Sequence, residues 1–352
     1  MSPSYADTPH APFVKSGSFV HVSTVGPTEP SGAVVEGDVG AQTRRTLENL
    51  RERLRAAGTE LDRVASVMVY LRDAADFAAV NQAYAAFFPK DPPTRSTIVV
   101  PPAHPKARLE MSAVALLPGA ERRVILPEGW KPSPSPYSYG ILSGDTLFLS
   151  GLVARNPADN SIAGGDVATQ TRAVLDNAGA ILKAAGMSHA DVVSSRIYLP
   201  DTSGFQAMNE AYRSYFPERP PARATVQSGL AGREYVVEIT LLAVKAPARR
   251  AITTPNEDGT PGTANPNLSS AIETGGRVYL SGMLGNSEAT KGDVAAQTRV
   301  TLDRLGRTLS AAGYGWEHVK DGILYVTDAA NRSAVETLWR ERLGATRAAG
   351  VT

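Results

Sequence analysis

One phrase occurs three times in this chain. GDVGAQTRRTLENL starts at Gly37, GDVATQTRAVLDNA at Gly165 and GDVAAQTRVTLDRL at Gly292, so the copies lie about 130 residues apart. Each is followed by the same helix-ending triplet, at Ala56-Ala57-Gly58, Ala184-Ala185-Gly186 and Ala311-Ala312-Gly313. Twelve residues after each of those glycines comes a tyrosine in an apolar run, at Tyr70, Tyr198 and Tyr325. A period of roughly 20–50 residues would imply a solenoid, whereas this one has the size of a domain. The chain is read as three fused copies of one small domain. A unit of this size buries only about two-thirds of its unfolded surface and gains from association. Fusion raises the local concentration of each copy for the others.

Composition shifts mark the joins. PGAERRVILPEGWKPSPSP follows unit one and APARRAITTPNEDGTPGTANPN follows unit two, both too rich in proline, glycine and polar residues for regular periodicity. The expected division is unit one at 1–118, a semi-extended linker at 119–136, unit two at 137–246, a second linker at 247–266, and unit three at 267–352.

The second copy gives the clearest element pattern. Asp145 to Ser150, after the turn Ser143-Gly144, reads as a strand. Asp166 can cap a helix whose apolar positions Val174, Leu175, Ala178, Ile181, Leu182 and Ala185 recur at three- and four-residue spacing, and Gly186 stops it. Val192 to Leu199 is a second strand, and Phe205 to Phe216 a second amphipathic helix. ATVQ and YVVEITLLAV follow as strand-like runs rich in β-branched residues. The expected class is α+β, a mixed sheet with two helices on one face. The other sheet face has no cover from within a unit, so the units are expected to cover one another around a pseudo-threefold axis.

The whole-chain totals exclude several functions. A net charge of +1 without a long charge run advertises neither nucleic acid nor a membrane surface. With no cysteine, disulfides, thiolate metal sites and a cysteine nucleophile are excluded. The five histidines show no metal spacing, and there is neither a Ser-His-Asp set nor a phosphate loop. MSPSYADTPHAPF lacks an apolar signal region and no stretch approaches the length of an apolar span, so a soluble, cytoplasmic protein is expected.

Chemistry concentrates at a repeated pair. Glu110 in unit one and Glu238 in unit two sit inside apolar strand runs, where an ionised carboxylate is costly without a partner. Fifteen residues before each stands an arginine, Arg95 and Arg223. A buried structural ion pair is one reading. The sharper one is a guanidinium fork that binds a substrate carboxylate beside a glutamate that holds a water. Asn81 and Asn209 recur in the second helix, where asparagine is a poor interior residue. Ser23, Ser150 and Ser281 end the first strand of each copy, a position that serine also takes for turn reasons.

Taken together, PSPYSYGILSGDTLFLSG, GDVATQTRAVLDNAGAILKAAG, VVSSRIYL, FQAMNEAYRSYFP, PPARATV and VVEITLLAV resemble the Rid (YjgF-type) family. The resemblance covers essentially all of unit two, nearly all of unit one and about four-fifths of unit three. It implies chorismate-mutase-like domains that assemble as trimers with clefts between neighbours, so the chain resembles a trimer written on one polypeptide, with further self-association left open. The implied activity is hydrolysis of 2-imino acids and their enamine tautomers to 2-keto acids and ammonia, with no metal or organic cofactor. By that resemblance Arg223 and Arg95 clamp the substrate carboxylate and Glu238 and Glu110 position the water. Tyr137, Ser150, Asn209, Ser23, Asn81, Ser281 and Arg347 line the clefts.

There are departures from the pattern. Unit one has His10 at the tyrosine position and Ser23-Thr24 in place of Ser-Gly. Unit three has Leu268 at the tyrosine position, Glu336 at the asparagine position if three residues are missing before Arg347, and no run matching the glutamate strand. A non-catalytic scaffold or sensor that binds a small carboxylate is the alternative. A ribonuclease role, associated with parts of the family, is disfavoured by the near-neutral charge and the lack of a basic-aromatic stripe.

Overall fold

A computed structural model of the chain describes residues 10–346 and 348–351. Unit one contains β1 (Phe13–Ser16), β2 (Phe19–Val25), α1 (Val39–Ala56), β3 (Val64–Leu71), α2 (Phe77–Ala85), β4 (Thr94–Val99) and β5 (Leu109–Leu116). After β6 (Arg123–Ile125), unit two repeats the pattern. Its elements are β7 (Gly140–Ser143), β8 (Thr146–Leu149), α3 (Val167–Ala184), β9 (Val192–Leu199), α4 (Phe205–Arg213), β10 (Ala222–Gln227), β11 (Gly229–Leu230) and β12 (Glu238–Val244). β13 (Arg249–Ile252) leads into unit three, with β14 (Ala271–Thr274), β15 (Arg277–Leu280), α5 (Val294–Ala312), β16 (Asp321–Ile323), α6 (Arg332–Leu343) and β17 (Ala349–Val351).

The repeated phrase is a helix start. Asp38, Asp166 and Asp293 each stand at an N-cap, and each carboxylate accepts the backbone N–H three residues on, at 2.7, 2.8 and 2.9 Å. The glycine before each cap has positive φ (114°, 90° and 77°), a region that a side chain would disfavour. In unit two, α3 buries Val174, Leu175, Ala178, Ile181 and Leu182 against Ile197, Ile239 and Leu241 of the sheet. Met208 and Tyr212 of α4 complete that layer, and unit one repeats it. The fold is therefore α+β, a mixed sheet carrying two helices on one face.

Sheet order places the last strand of each complete unit inside its sheet, β1-β2-β5-β3-β4-β11 for unit one, with β11 contributed by unit two, and β10-β9-β12-β8-β7-β6 for unit two. β3 and β4 run parallel, as do β9 and β10, and β5 and β12 run antiparallel to both of their neighbours. In unit three, β13-β14-β15 and the parallel pair β16-β17 form two separate sheets among the described residues. The expected linkers are more ordered than their composition implies. Val124 and Ile125 pair with β7, and Arg249 to Ile252 with β14, so each linker adds an edge strand to the unit that follows. α4 also ends at Arg213, short of Phe216, and the strand expected from Tyr235 starts at Glu238.

Sheet faces away from the helices meet other units. Phe19, Ala65 and Leu116 of unit one pack with Ile141 and Phe148 of unit two. Val193, Ala222 and Val244 of unit two pack with Ile272 and Tyr279 of unit three. Unit three reaches back to unit one through Ala11 N–H to the Ala348 carbonyl (3.0 Å) and the His21–Asp321 pair (2.9 Å). The repeated tyrosines lie on this inner side: Tyr70 and Tyr198 share a cluster with Met68 and Ile98, and the Tyr198 and Tyr325 hydroxyls are 3.2 Å apart.

Candidate functional site

Between units one and two, the backbone builds a seam that is repeated at the other two junctions. The Arg95 N–H donates to Ser150 Oγ (2.9 Å), the Gly151 N–H donates to the Arg95 carbonyl (3.1 Å), and the Ser138 N–H donates to the Pro93 carbonyl (3.1 Å). Between units two and three the corresponding bonds are Arg223 N–H to Ser281 Oγ (2.8 Å), Gly282 N–H to Arg223 (3.1 Å) and Ser269 N–H to Pro221 (3.3 Å). Between units three and one, the Gly350 N–H donates to Ser23 Oγ (3.0 Å). The three repeated serines thus act as clamps across the seams. Each hydroxyl also donates to a carbonyl of its own unit, that of Ser138, Ser269 or Ala11.

The seam also reassigns unit three. Gly350 occupies the place of Arg95 and Arg223, and its pairing with Gly322 matches that of Arg223 with Ser195. No residues are missing, and Glu336 stands fourteen residues before Gly350, as Asn209 stands before Arg223. In the sequence Arg347 is the expected counterpart of Arg95 and Arg223. Arg347 lies outside the described residues, and the register position belongs to a glycine. A Cβ on Gly350 would sit 2.3 Å from Nδ1 of His10, so the imidazole takes the space where an arginine side chain would begin.

The seam between units one and two brings one of the repeated arginines, Arg95, near one of the repeated glutamates, Glu238. Arg95, on β4, is 4 % exposed, and its guanidinium lies over the rings of Tyr84 (5.0 Å), Phe77 (5.5 Å) and Tyr137 (5.8 Å). Its Nη1 has no hydrogen-bond partner. Facing it from unit two, Glu238 begins β12 and accepts the Thr97 N–H at 3.3 Å. Beside them Ser96 and Thr240 share a hydrogen bond of 2.7 Å. Arg95 and Glu238 form no direct ion pair, so the structural ion-pair reading does not describe them. They interact through space across the cleft.

Burial dominates the electrostatics. It pushes the Glu238 carboxyl from its ordinary 4.5 up to about 8, against the opposing pull of the Thr97 N–H and the Arg95 charge. Burial also lowers the Arg95 pKa, opposed by Tyr84, Tyr137 and Glu238. The Tyr137 hydroxyl is raised, again chiefly by burial. The result is a buried cation and a buried, neutralisable acid supplied by two different units. Asn81 stands on α2, and its Oδ1 is buried without a partner, whereas Asn209 Oδ1 accepts from Arg223 Nη2 at 2.7 Å.

Sequence reasoning paired Arg223 with Glu238 because both lie in unit two. In the structure they belong to different seams. Arg223 is 3 % exposed, stacks over Tyr212 and Phe205, and is lowered by burial with only Tyr212 opposing. Glu110, the counterpart of Glu238, accepts the Ala103 N–H at 2.8 Å. Its surroundings differ at one decisive place, because Thr24 stands where unit two has Gly151. A Cβ on Gly151 would lie 1.9 Å from Glu238 Oε1, so the pose of Glu238 requires a glycine there.

Two kinds of positioning residue are not singled out by the sequence. Gln170, within the repeated phrase, donates to the Glu234 carbonyl (3.0 Å) and accepts the Val236 N–H (3.0 Å), which fixes the chain just before Glu238. Gln42 does the same for Lys106 and Arg108 before Glu110. The glutamine of the repeat was visible as a signal, but its partners lie more than sixty residues away. Gly151 is the other. Gly151→Ala is expected to push the Glu238 carboxyl out of this pose, and a crystal structure of the variant checks it; Glu238 unmoved beside an alanine would contradict the close approach.

A group of three or more potential metal ligands is absent among the described residues. No described helix is long and apolar enough to cross a membrane.

Comparison with known proteins adds to this geometry. The family model described as Endoribonuclease L-PSP matches three times, at residues 2–117, 131–245 and 260–349. A RutC family protein of Saccharolobus solfataricus is 42 % identical over 116 residues, 33 % of this chain and 92 % of the relative. The 3-aminoacrylate deaminase RutC of Acinetobacter baylyi is 37 % identical over 122 residues, 35 % of this chain and 97 % of the relative. The human 2-iminobutanoate/2-iminopropanoate deaminase is 34 % identical over 126 residues, 36 % of this chain and 92 % of the relative. One such relative corresponds to one unit.

Proposed function

Because the chain belongs to the Endoribonuclease L-PSP family and carries three tandem Rid-like domains, we propose that it is a deaminase of 2-imino acids and enamines. The three units act as an intramolecular pseudo-trimer, and the cleft between units one and two does the hydrolysis. The observation that carries the reading is the convergence of Arg95 and Glu238 from different units on one buried cleft, with the carboxyl pushed up to about 8. Relatives named as deaminases of 3-aminoacrylate and of 2-iminobutanoate support the substrate class.

The chemistry asks little of the protein. The substrate carboxylate binds the Arg95 guanidinium by charge-assisted hydrogen bonds, each worth about 1.5–3 kcal/mol. Tyr137 flanks that cation. Glu238 takes a proton from a water as the oxygen adds to the C=N carbon. From a protonated imine this gives a neutral carbinolamine; Glu238 returns the proton to its nitrogen and takes the hydroxyl proton as the C–N bond breaks, so that ammonia leaves and the 2-keto acid remains. An acid whose pKa lies near the working pH can both take and return the proton. In the test, an amino-acid oxidase generates the imino acid, and its decay is followed with semicarbazide as trap. Faster keto-acid formation with the full chain is the expected result, and no acceleration across several imino acids would refute the deaminase reading. The scaffold reading finds support only at the junction between units two and three, where an arginine has no acidic neighbour.

A further inference from the structure

At the junction between units two and three, Arg223 is almost fully buried, and one guanidinium nitrogen, Nη1, has no hydrogen-bond partner. Its other identified contacts are neutral: Asn209, and the rings of Tyr212 and Phe205. A buried guanidinium without a counter-charge is costly, and an anionic ligand removes that cost.

Beside it, unit three holds a cavity of about 750 Å³. Its lining includes Leu268, Ser281 and Gly282, the residues of the seam with Arg223, together with Ser270, Arg304 and Arg307. Leu268 stands where Tyr137 flanks the Arg95 guanidinium, and it lines the cavity beside Ser281 and Gly282, which bond the Arg223 backbone. The opening has an identifiable cause. Ser270 is the counterpart of Tyr139, since the two carbonyls accept the N–H of Ser281 and Ser150 respectively. In unit two the Tyr139 ring packs edge-on against Trp130 at 5.1 Å, so a large ring stands where unit three has a serine. Arg304 likewise replaces Asn177 on the equivalent helix.

The two arginines of α5 are half-buried, and each has one N–H engaged with a backbone carbonyl: Arg304 with Leu284, and Arg307 with Pro255 at 3.0 Å. Two acids, Glu257 and Asp258, also border the cavity, but both are solvent-exposed, and Asp258 accepts hydrogen bonds from Thr260. Cationic groups are therefore deeper than the anionic ones.

We propose that this junction is a second ligand site, distinct from the hydrolytic cleft, which binds a dianionic small carboxylate. One carboxylate engages Arg223, and the second anionic group lies in the unit-three cavity against Arg304 and Arg307. The inference rests on reading the repeated arginine as a carboxylate clamp, and extends it to a ligand longer than a simple 2-imino acid.

Calorimetric titration of the full chain with 2-oxoglutarate and with 2-oxobutanoate tests it. Binding of 2-oxoglutarate is expected to persist in Arg95→Ala and to weaken at least tenfold in Arg223→Ala, in the double variant Arg304→Ala/Arg307→Ala, and in Ser270→Tyr, which places the tyrosine of unit two in the cavity lining. Thermal melts of each variant separate lost binding from lost folding, and the conservative Arg304→Lys/Arg307→Lys variant is expected to restore part of the affinity. Absence of 2-oxoglutarate binding, its loss in Arg95→Ala, or its indifference to both the α5 variants and Ser270→Tyr would overturn the proposal. Imino-acid turnover is measured on the same samples. Turnover without 2-oxoglutarate binding removes this site alone, while the expected binding pattern without turnover removes the deaminase reading and leaves the second site standing.

Discussion

Arg95→Ala is expected to lower kcat/KM for imino-acid hydrolysis by on the order of 10²–10⁴-fold, while Arg223→Ala leaves most of the turnover in place. The contrast follows from the seams. Arg95 faces Glu238 across the first junction, and Arg223 points into the second, where its described neighbours are Asn209 and aromatic rings. Two charge-assisted hydrogen bonds to a carboxylate contribute about 3–6 kcal/mol in a buried site, which sets the range. Lysine at position 95 restores charge without the planar fork, so Arg95→Lys is expected to recover only part of the loss. The measurement is initial rate against imino-acid concentration for the wild type and the three variants. Equal losses for Arg95→Ala and Arg223→Ala would mean that the hydrolytic cleft has been placed at the wrong junction.

Glu238→Gln is expected to have two opposite effects, lower activity and higher stability above neutral pH. Without a proton acceptor, the rate falls by on the order of 10²–10⁴-fold. With the carboxyl pushed up to about 8, the wild-type rate is expected to rise with pH as it ionises, and the variant to lack that rise. The stability effect has the other sign. In the folded chain Glu238 holds its proton up to about 8, while in the unfolded chain it releases it near its ordinary 4.5. The contribution of the neutral acid is therefore fully present below about 4.5 and is lost as pH rises through about 8. Glutamine stays neutral, so the stability difference between variant and wild type grows between pH 5 and 8 to a few kcal/mol. Urea denaturation at both pH values measures it, and a difference that does not change with pH would contradict a buried, proton-holding Glu238.

The parts of this molecule legible in the sequence are those set by local rules. Asp166 as a helix cap, Gly186 as its stop and Val192 to Leu199 as a strand depend on neighbours a few residues away, and all three occur as expected. The edge strands in the linkers were hidden because their pairing partners, such as Ile141 opposite Val124, lie across a proline-rich stretch that carries no periodic signal. The site was half legible. Repetition singled out Arg95, Arg223, Glu110 and Glu238, but repetition cannot say which arginine faces which glutamate. That depends on how β4 of one unit meets the strand end of the next, and the contacts carrying it, such as Thr97 with Glu238, span 141 positions. In unit three, the nearby arginine at 347 masked the register that the seam assigns to Gly350.

Each seam draws one half from one unit and the other half from its neighbour, and all six halves are encoded separately. In an assembly of identical chains, one altered codon appears in every cleft at once. Here a change such as glycine at position 350, or leucine at 268, is confined to a single cleft. Natural selection can then relax one interface, retune another and preserve the third within the same gene, which gives a fused array an evolutionary freedom that a symmetric oligomer does not have.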